Sequence, residues 1–153
     1  MDRAKEHVSG VLFGFTGLGV LIISFLLDIC MPLPAKVATP VGIGCICAGM
    51  CMVVWAARHL KEAIAGEVEP VLDILVEQGP YQVVRHPVYF GLGVALIGTT
   101  ILMRSLPGFI CVFLLFLPSA VYRAKLEEQA LAERFGCEWE AYIRKTGFFL
   151  PRL

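Results

Sequence analysis

The segment Gly79-Pro80-Tyr81-Gln82-Val83-Val84-Arg85-His86-Pro87-Val88-Tyr89-Phe90-Gly91 holds the densest polar and aromatic cluster of the chain. Gly79-Pro80 predicts a turn. His86-Pro87 predicts a helix start, because proline fits the first helical position and disfavours helix in the residue before it. His86 and Tyr89 then share the first turn of a helix. The unpaired N–H groups and positive dipole end of that turn favour an anionic group such as a carboxylate. A second set, Arg123-Ala124-Lys125-Leu126-Glu127-Glu128, places Arg123 and Glu127 four residues apart, as neighbours on one helix face. Paired charges of this kind form either an ordinary surface bridge or part of a site.

The elements that carry these residues follow from composition. Apolar residues make up 58% of the 153-residue chain and charged residues 17%, against about 45–50% and about 25% in ordinary globular domains. Mean hydropathy is +0.75. Thirteen basic residues balance thirteen acidic ones, so no global field draws the chain to nucleic acid. These figures exclude a disordered chain, a coiled coil and a highly charged nucleic-acid binder. They predict an all-α integral membrane protein.

A spanning helix needs about 20 predominantly apolar residues, with a range of about 17–25. Four runs are candidates, at about 8–27, 41–57, 89–103 and 106–122. The last two predict a hairpin with a tight turn around Arg104-Ser105-Leu106. Gly14, Gly17 and Gly19, and Gly42, Gly44 and Gly49, would allow close helix contact, either as general packing or as a dimer motif. Four spans put both termini, the 58–87 segment and the C-terminal tail on one side. That side holds all the basic residues except Lys36 and Arg104, so the expected orientation is termini in the cytoplasm. The segment after Arg123 predicts an amphipathic helix, with Ala124, Leu131 and Phe135 on one stripe and Gly136 ending or kinking it. Trp139 and Tyr142 suit an interfacial aromatic belt.

The polar cluster before the third run also suits a plain membrane boundary. Arg85 would then reach for lipid phosphates, and Tyr81 and Tyr89 would join an aromatic belt. Two features point past that reading: the specific backbone path set by glycine and proline, and a histidine at a buried helix start that needs partners. The six cysteines lie mostly in apolar runs and read as structural thiols. His7, His59 and His86 are far apart, so no metal site is expected.

Leu75-Val76-x-x-Gly79-x-Tyr81, Arg85-His86-Pro87-x-Tyr89-x-Gly91, Glu127-Glu128-x-x-Leu131 and Phe135-Gly136 followed by Tyr142 stand in order, ending at Leu150-Pro151. This ordered set, with a membrane hairpin inside it, resembles the isoprenylcysteine carboxyl methyltransferase and phospholipid methyltransferase superfamily of integral membrane enzymes. The match covers about the C-terminal half, Val71 to Pro151. The resemblance implies a single membrane domain with a cytosolic cofactor-binding segment, transferring methyl groups from S-adenosylmethionine. It implies cofactor contacts from Asp73, Ile74, Leu75, Val76, Tyr81, His86, Pro87, Val88, Tyr89, Glu127 and Glu128. It assigns Arg123 and Glu127 to the catalytic set, with Arg123 facing the methyl acceptor. Trp139 stands where the family often has tyrosine.

The implied chemistry agrees with the residues. A methionyl zwitterion suits a helix N-terminus for its carboxylate and a glutamate for its ammonium. The expected acceptor is lipophilic, entering from the bilayer: an isoprenylcysteine-type carboxylate, a phospholipid amine or a small thiol. Membrane lipid is the expected partner. The host membrane would be the plasma membrane in a prokaryote or the endoplasmic reticulum in a eukaryote. Two other readings stand beside it. Membrane sterol reductases share the Arg-His-Pro segment but use a nicotinamide and are much longer. A four-span transporter or assembly partner is the non-enzymatic reading, although the runs hold no acid of the kind transporters use for coupling.

Overall fold

The computed structural model describes residues 3–27, 29–65 and 75–152, with side chains for 8–27, 29–60 and 75–152. Among the described residues every regular element is helical. Helix α1 spans Arg3–Leu26, α2 Ala35–Ala65, α3 Pro87–Leu102, α4 Leu106–Cys111, α5 Leu117–Phe135 and α6 Cys137–Lys145. A short 3-10 turn occupies Gly79–Gln82. Among the described residues extended pairing consists of two isolated bridges, Cys30 with Ser105 and Val84 with Gly147.

Among the described residues three helical stretches are long and apolar enough to cross a membrane: Val8–Leu26, Ala35–Leu60 and Leu106–Phe135. At about 1.5 Å per residue the first is roughly 28 Å long, close to the hydrocarbon thickness of about 30 Å. Helix α3 is apolar but has only 16 residues, roughly 24 Å. The second stretch starts before the expected 41–57 run, because Pro34 does not stop the helix but opens it: its carbonyl accepts from the N–H of Val37 and of Ala38. Large apolar side chains face outward, with Phe25 80% and Phe15 65% exposed. Such a surface suits lipid far better than water.

The fourth apolar run and the tail helix behind it form one continuous rod, Leu106–Phe135. The rod contains a π-helical turn at Val112–Phe116, in which the Leu117 N–H donates to the Val112 carbonyl. Pro118 supplies the physical reason. It has no N–H to donate, and its ring would press on the Leu114 carbonyl in a regular helix. The wider turn just before it relieves that crowding.

Helices α2 and α3 pack at direct backbone contact in two layers. A Cβ on Gly42 would stand 2.8 Å from the Gly98 carbonyl oxygen, and one on Gly91 would stand 2.7 Å from that of Gly49. Each pair of glycines is seven residues apart, two helical turns, so both layers fall on the same face. Helix α1 crosses the other side and packs on α4, the π turn and α5. Val20, Val112, Phe116 and Ala120 form the buried core there, flanked by Phe13 and Tyr89.

The turn between α3 and α4 falls at Arg104, whose φ is 54°. Ser105 caps α4, its hydroxyl accepting from the Gly108 N–H at 3.2 Å. All six cysteines are free thiols.

Candidate active site

The site lies where the first turn of α3 meets the face of α5 that carries Arg123, Glu127 and Glu128. The Gly79–Gln82 turn delivers the chain to it. Gly79 adopts φ +61°, and a side chain there would collide with the ring of His59; only glycine fits on both counts. Val84 then pairs with Gly147. Arg85 N–H donates to the Gly147 carbonyl at 2.8 Å, and His86 N–H to that of Phe148 at 3.3 Å. The C-terminal segment is thus laid alongside residues 83–86.

Arg85 turns inward rather than toward lipid phosphates. Its Nε donates to Glu128 Oε1 at 2.6 Å and its terminal nitrogen to the Thr146 carbonyl at 2.7 Å. The same Glu128 oxygen lies 3.2 Å from His86 Nε2, and His86 Nδ1 lies 3.9 Å from Glu127 Oε2. His86 is 6% exposed. The ring of Phe148 packs against it at 4.9 Å between centroids. One imidazole therefore faces both carboxylates of the α5 pair.

The Tyr89 hydroxyl donates to Glu127 Oε1 and accepts from Arg123 Nε at 2.9 Å. Arg123 Nε also stands 3.4 Å from Glu127 Oε1 along the helix. The spacing of four residues seen in the sequence is here a working contact, bridged by a phenol from another helix.

Two adjoining cavities open on these groups, with the polar side chains of Arg85, His86 and Glu127 set among apolar lining residues; they are polar by contrast with the apolar groove between α3 and the long rod. One, of about 370 Å³, is lined by Leu60, Leu75, Val76, Tyr81, Arg85, His86, Glu127, Leu131, Trp139 and Tyr142. The other, of about 250 Å³, adds Pro87, Val88 and Tyr89. The N-cap residue of helix α3, His86, makes no side-chain cap, and the first-turn residues Pro87, Val88 and Tyr89 line this space. A separate apolar groove of about 370 Å³ runs between α3 and the long rod, lined among others by Gly93, Ile97, Phe116, Phe149 and Leu150. Tyr89 lines both the polar cavity and the groove.

Of the residues expected from the sequence, Leu75, Val76, Tyr81, His86, Pro87, Val88, Tyr89 and Glu127 line the polar cavities. Glu128 stands behind them, holding Arg85 and His86. Arg123 sits beside Tyr89 and Glu127. Asp73 and Ile74 lie outside the described residues. Among the described residues no three His, Cys, Asp or Glu side chains approach closely enough to hold a metal ion.

Trp139 and Tyr142 do not form a belt at the membrane surface. Each is 4% exposed, and their rings meet 5.5 Å apart over the cavity. Gly136, at φ +50°, breaks the helix and folds α6 back, where the Tyr142 hydroxyl donates to the Tyr81 carbonyl at 2.7 Å. Burial, with the nearby Glu77 carboxylate, pushes the Tyr142 phenol up to about 12. Burial and Glu127 raise that of Tyr81 as well. Sequence reasoning missed Leu60, Phe148, Phe149 and Ser9. The first three carry no signal beyond apolarity. Ser9 had one: the first of three hydroxyls, with Thr16 and Ser24, in an otherwise apolar run.

A sequence profile described as phospholipid methyltransferase matches residues 37–138. Phosphatidylethanolamine N-methyltransferase B of Dictyostelium discoideum is 31% identical over 84 residues, covering 53% of this chain and 42% of that protein. The chain thus matches less than half the length of that relative. No solved structure matches significantly. The matched stretch runs from the first turn of α2 into α6 and includes the His86, Tyr89, Arg123, Glu127 and Glu128 cluster, so the resemblance first carried by a few motifs extends over most of the fold: the chain belongs to the phospholipid methyltransferase family.

Proposed function

We propose that the chain is a membrane methyltransferase that uses S-adenosylmethionine to methylate the amine of a phospholipid headgroup. One observation carries the reading: Tyr89 is a wall shared by a polar cavity and an apolar groove. A water-soluble donor and a lipid acceptor need such compartments, meeting at one point. The family and the name of the curated relative favour a phospholipid amine over an isoprenylcysteine carboxylate or a small thiol. No comparable observation supports a transporter.

The residues present fit the donor. The uncapped first turn of α3 suits its carboxylate and Glu127 its ammonium. Tyr81, Trp139 and Tyr142 offer aromatic faces, which attract a cation as well as an adenine ring. The larger cavity, at about 370 Å³, falls in the range of about 300–1,000 Å³ usual for small-ligand sites. Bound there, the donor supplies a methyl group on a positively charged sulfur for in-line displacement.

The protein's own work is then orientation and proton handling. A phospholipid ammonium must lose a proton before its nitrogen can attack. Glu127 is the nearest carboxylate to the shared wall, and the Tyr89 hydroxyl links it to the groove side. Glu127 takes that proton, directly or through one water. Arg123 steadies the carboxylate and presents a guanidinium to the acceptor's phosphate. The apolar groove takes the acyl chains and keeps bulk water from the reacting nitrogen.

Calorimetry on detergent-purified protein tests the donor. S-adenosylmethionine and S-adenosylhomocysteine are expected to bind the wild type and to lose most of their affinity with His86→Ala and with Glu127→Ala. Methyl-labelled donor is then mixed with phosphatidylethanolamine vesicles, a prenylcysteine and a thiol in separate arms. Label in the lipid amine is expected. Label in either other arm moves the acceptor, and a folded protein that binds no donor overturns the reading.

A further inference from the structure

We propose that α1, which precedes the family-matched stretch, buttresses the active site from behind Arg123 and Tyr89, and that Ser9 and Gly10 are positioning residues aiming Arg123 at the acceptor headgroup. The inference rests on the proposed function and adds to it the element that sets the acceptor side.

The observations are all on one face of α1. Ser9 is 3% exposed, and its hydroxyl accepts from an Arg123 terminal nitrogen at 3.2 Å. Gly10 lies against the same guanidinium: a Cβ there would stand 2.8 Å from that nitrogen. One turn on, Phe13 packs its ring edgewise against Tyr89, 5.1 Å between centroids. Thr16 then meets Ser119 at 2.8 Å, hydroxyl to hydroxyl. Positions 9, 13 and 16 recur at helical spacing, so one stripe of α1 touches Arg123, Tyr89 and α5 together.

Arg123 is consequently held from three helices: by Tyr89 on α3, Glu127 on its own α5 and Ser9 on α1. A long arginine side chain carries about 2 kcal/mol of rotamer entropy. Fixing it before the acceptor arrives spares that loss at the reacting step. Ser24, the other buried serine of α1, turns its hydroxyl to its own backbone, donating to the Val20 carbonyl at 2.7 Å, whereas the Ser9 hydroxyl accepts from the guanidinium. The ligand such a guanidinium suits is a phosphodiester carrying an amine, because phosphate oxygens match its forked donors. Gly10 leaves the room in which the guanidinium sits.

The test compares Ser9→Ala, Ser9→Thr and Gly10→Ala in the full chain, each measured for donor affinity, thermal stability, and kcat and KM toward phosphatidylethanolamine vesicles. Ser9→Ala is expected to lower kcat/KM for the lipid about tenfold, the effect of about 1.4 kcal/mol, with donor affinity unchanged. Ser9→Thr keeps the hydroxyl and is expected to restore most of it. Gly10→Ala displaces only the flexible end of Arg123. It is expected to hold or raise the melting temperature, since alanine favours helix, while kcat/KM still falls. Unchanged kcat/KM in both Ser9→Ala and Gly10→Ala overturns the proposal, as do losses that track melting temperature and donor affinity. Nitrogen NMR of the Arg123 side chain gives a readout free of turnover: its Nε–H signal is expected to shift in both variants. Should the wild type methylate no acceptor, the function proposed above fails, and an unshifted Arg123 signal overturns the role of Ser9 by itself.

Discussion

The Tyr89 hydroxyl donates to the Glu127 carboxylate, tying the first turn of α3 to the face of α5 that carries Arg123. The phenol ring also separates the polar cavity from the apolar groove. A single side chain therefore lines both compartments and holds a carboxylate that lines the polar one.

Replacing Tyr89 with phenylalanine separates these roles. The ring, and with it the edge contact to Phe13, survives. The hydroxyl that orders Glu127 and Arg123 does not. A hydrogen bond to a charged group is worth about 1.5–3 kcal/mol, so methyl transfer is expected to fall roughly tenfold to a hundredfold with the fold intact. Labelled-methyl kinetics alongside a melting curve check this. Full turnover in Tyr89→Phe would show that the hydroxyl only fills space.

The α2–α3 contact predicts a sharp contrast among glycines on one helix. A Cβ on Gly49 would strike the Gly91 backbone carbonyl, whereas Gly44 has nothing within 4 Å. Gly49→Ala must push two helices apart and should destabilise by about 1–3 kcal/mol, as overpacking does. Gly44→Ala should be neutral or stabilising by up to about 1 kcal/mol through helix propensity. Since α3 carries Tyr89, Gly49→Ala is also expected to weaken donor binding. Equal melting temperatures for the two variants would remove the contact from the account.

Tyr142 gives a pH dependence with a definite sign. Its phenol is raised to about 12 in the fold and ionises near 10 in the unfolded chain. Between those values the unfolded state has lost a proton that the folded state keeps. Stability is therefore unaffected below about pH 10 and falls as pH rises toward about 12. Melting curves across that window should show the decline, and Tyr142→Phe should show a shallower one. Parallel slopes would mean that the phenol is no better shielded in the fold than outside it.

The sequence was most legible where local chemistry dictates backbone. His86-Pro87 marked the start of α3, Gly136 the break before α6, and the spacing of Arg123 and Glu127 their contact. Apolar run length marked the membrane helices, but it divided the Leu106–Phe135 rod in two. Hydropathy drops after Tyr122, while the helical hydrogen bonding continues through it. Trp139 and Tyr142 have the composition of an interfacial belt, and only the backward fold of α6 at Gly136 turns them inward. Ser9 and Phe149 belong to the site through contacts across more than a hundred and about sixty positions respectively, a distance at which neither periodicity nor spacing carries information.

The apolar groove makes the last prediction, which separates acceptor from donor. Gly93 lines it, and a Cβ there would meet only Phe116, at an ordinary contact distance of 3.5 Å. Gly93→Leu should therefore be tolerated by the helices while filling the space in which the proposed acyl chain would lie. Each displaced methylene forfeits about 0.8 kcal/mol, so blocking two or three is worth roughly tenfold to a hundredfold in KM. The expected result is a higher KM against the mole fraction of phosphatidylethanolamine in vesicles, with S-adenosylhomocysteine affinity unchanged. Because Tyr89 stands between the two compartments, a substitution about one helical turn away on the groove side should not be felt on the cavity side. An equal loss of donor affinity would mean that the groove and the cavity are one site, and the division of labour at Tyr89 would be wrong.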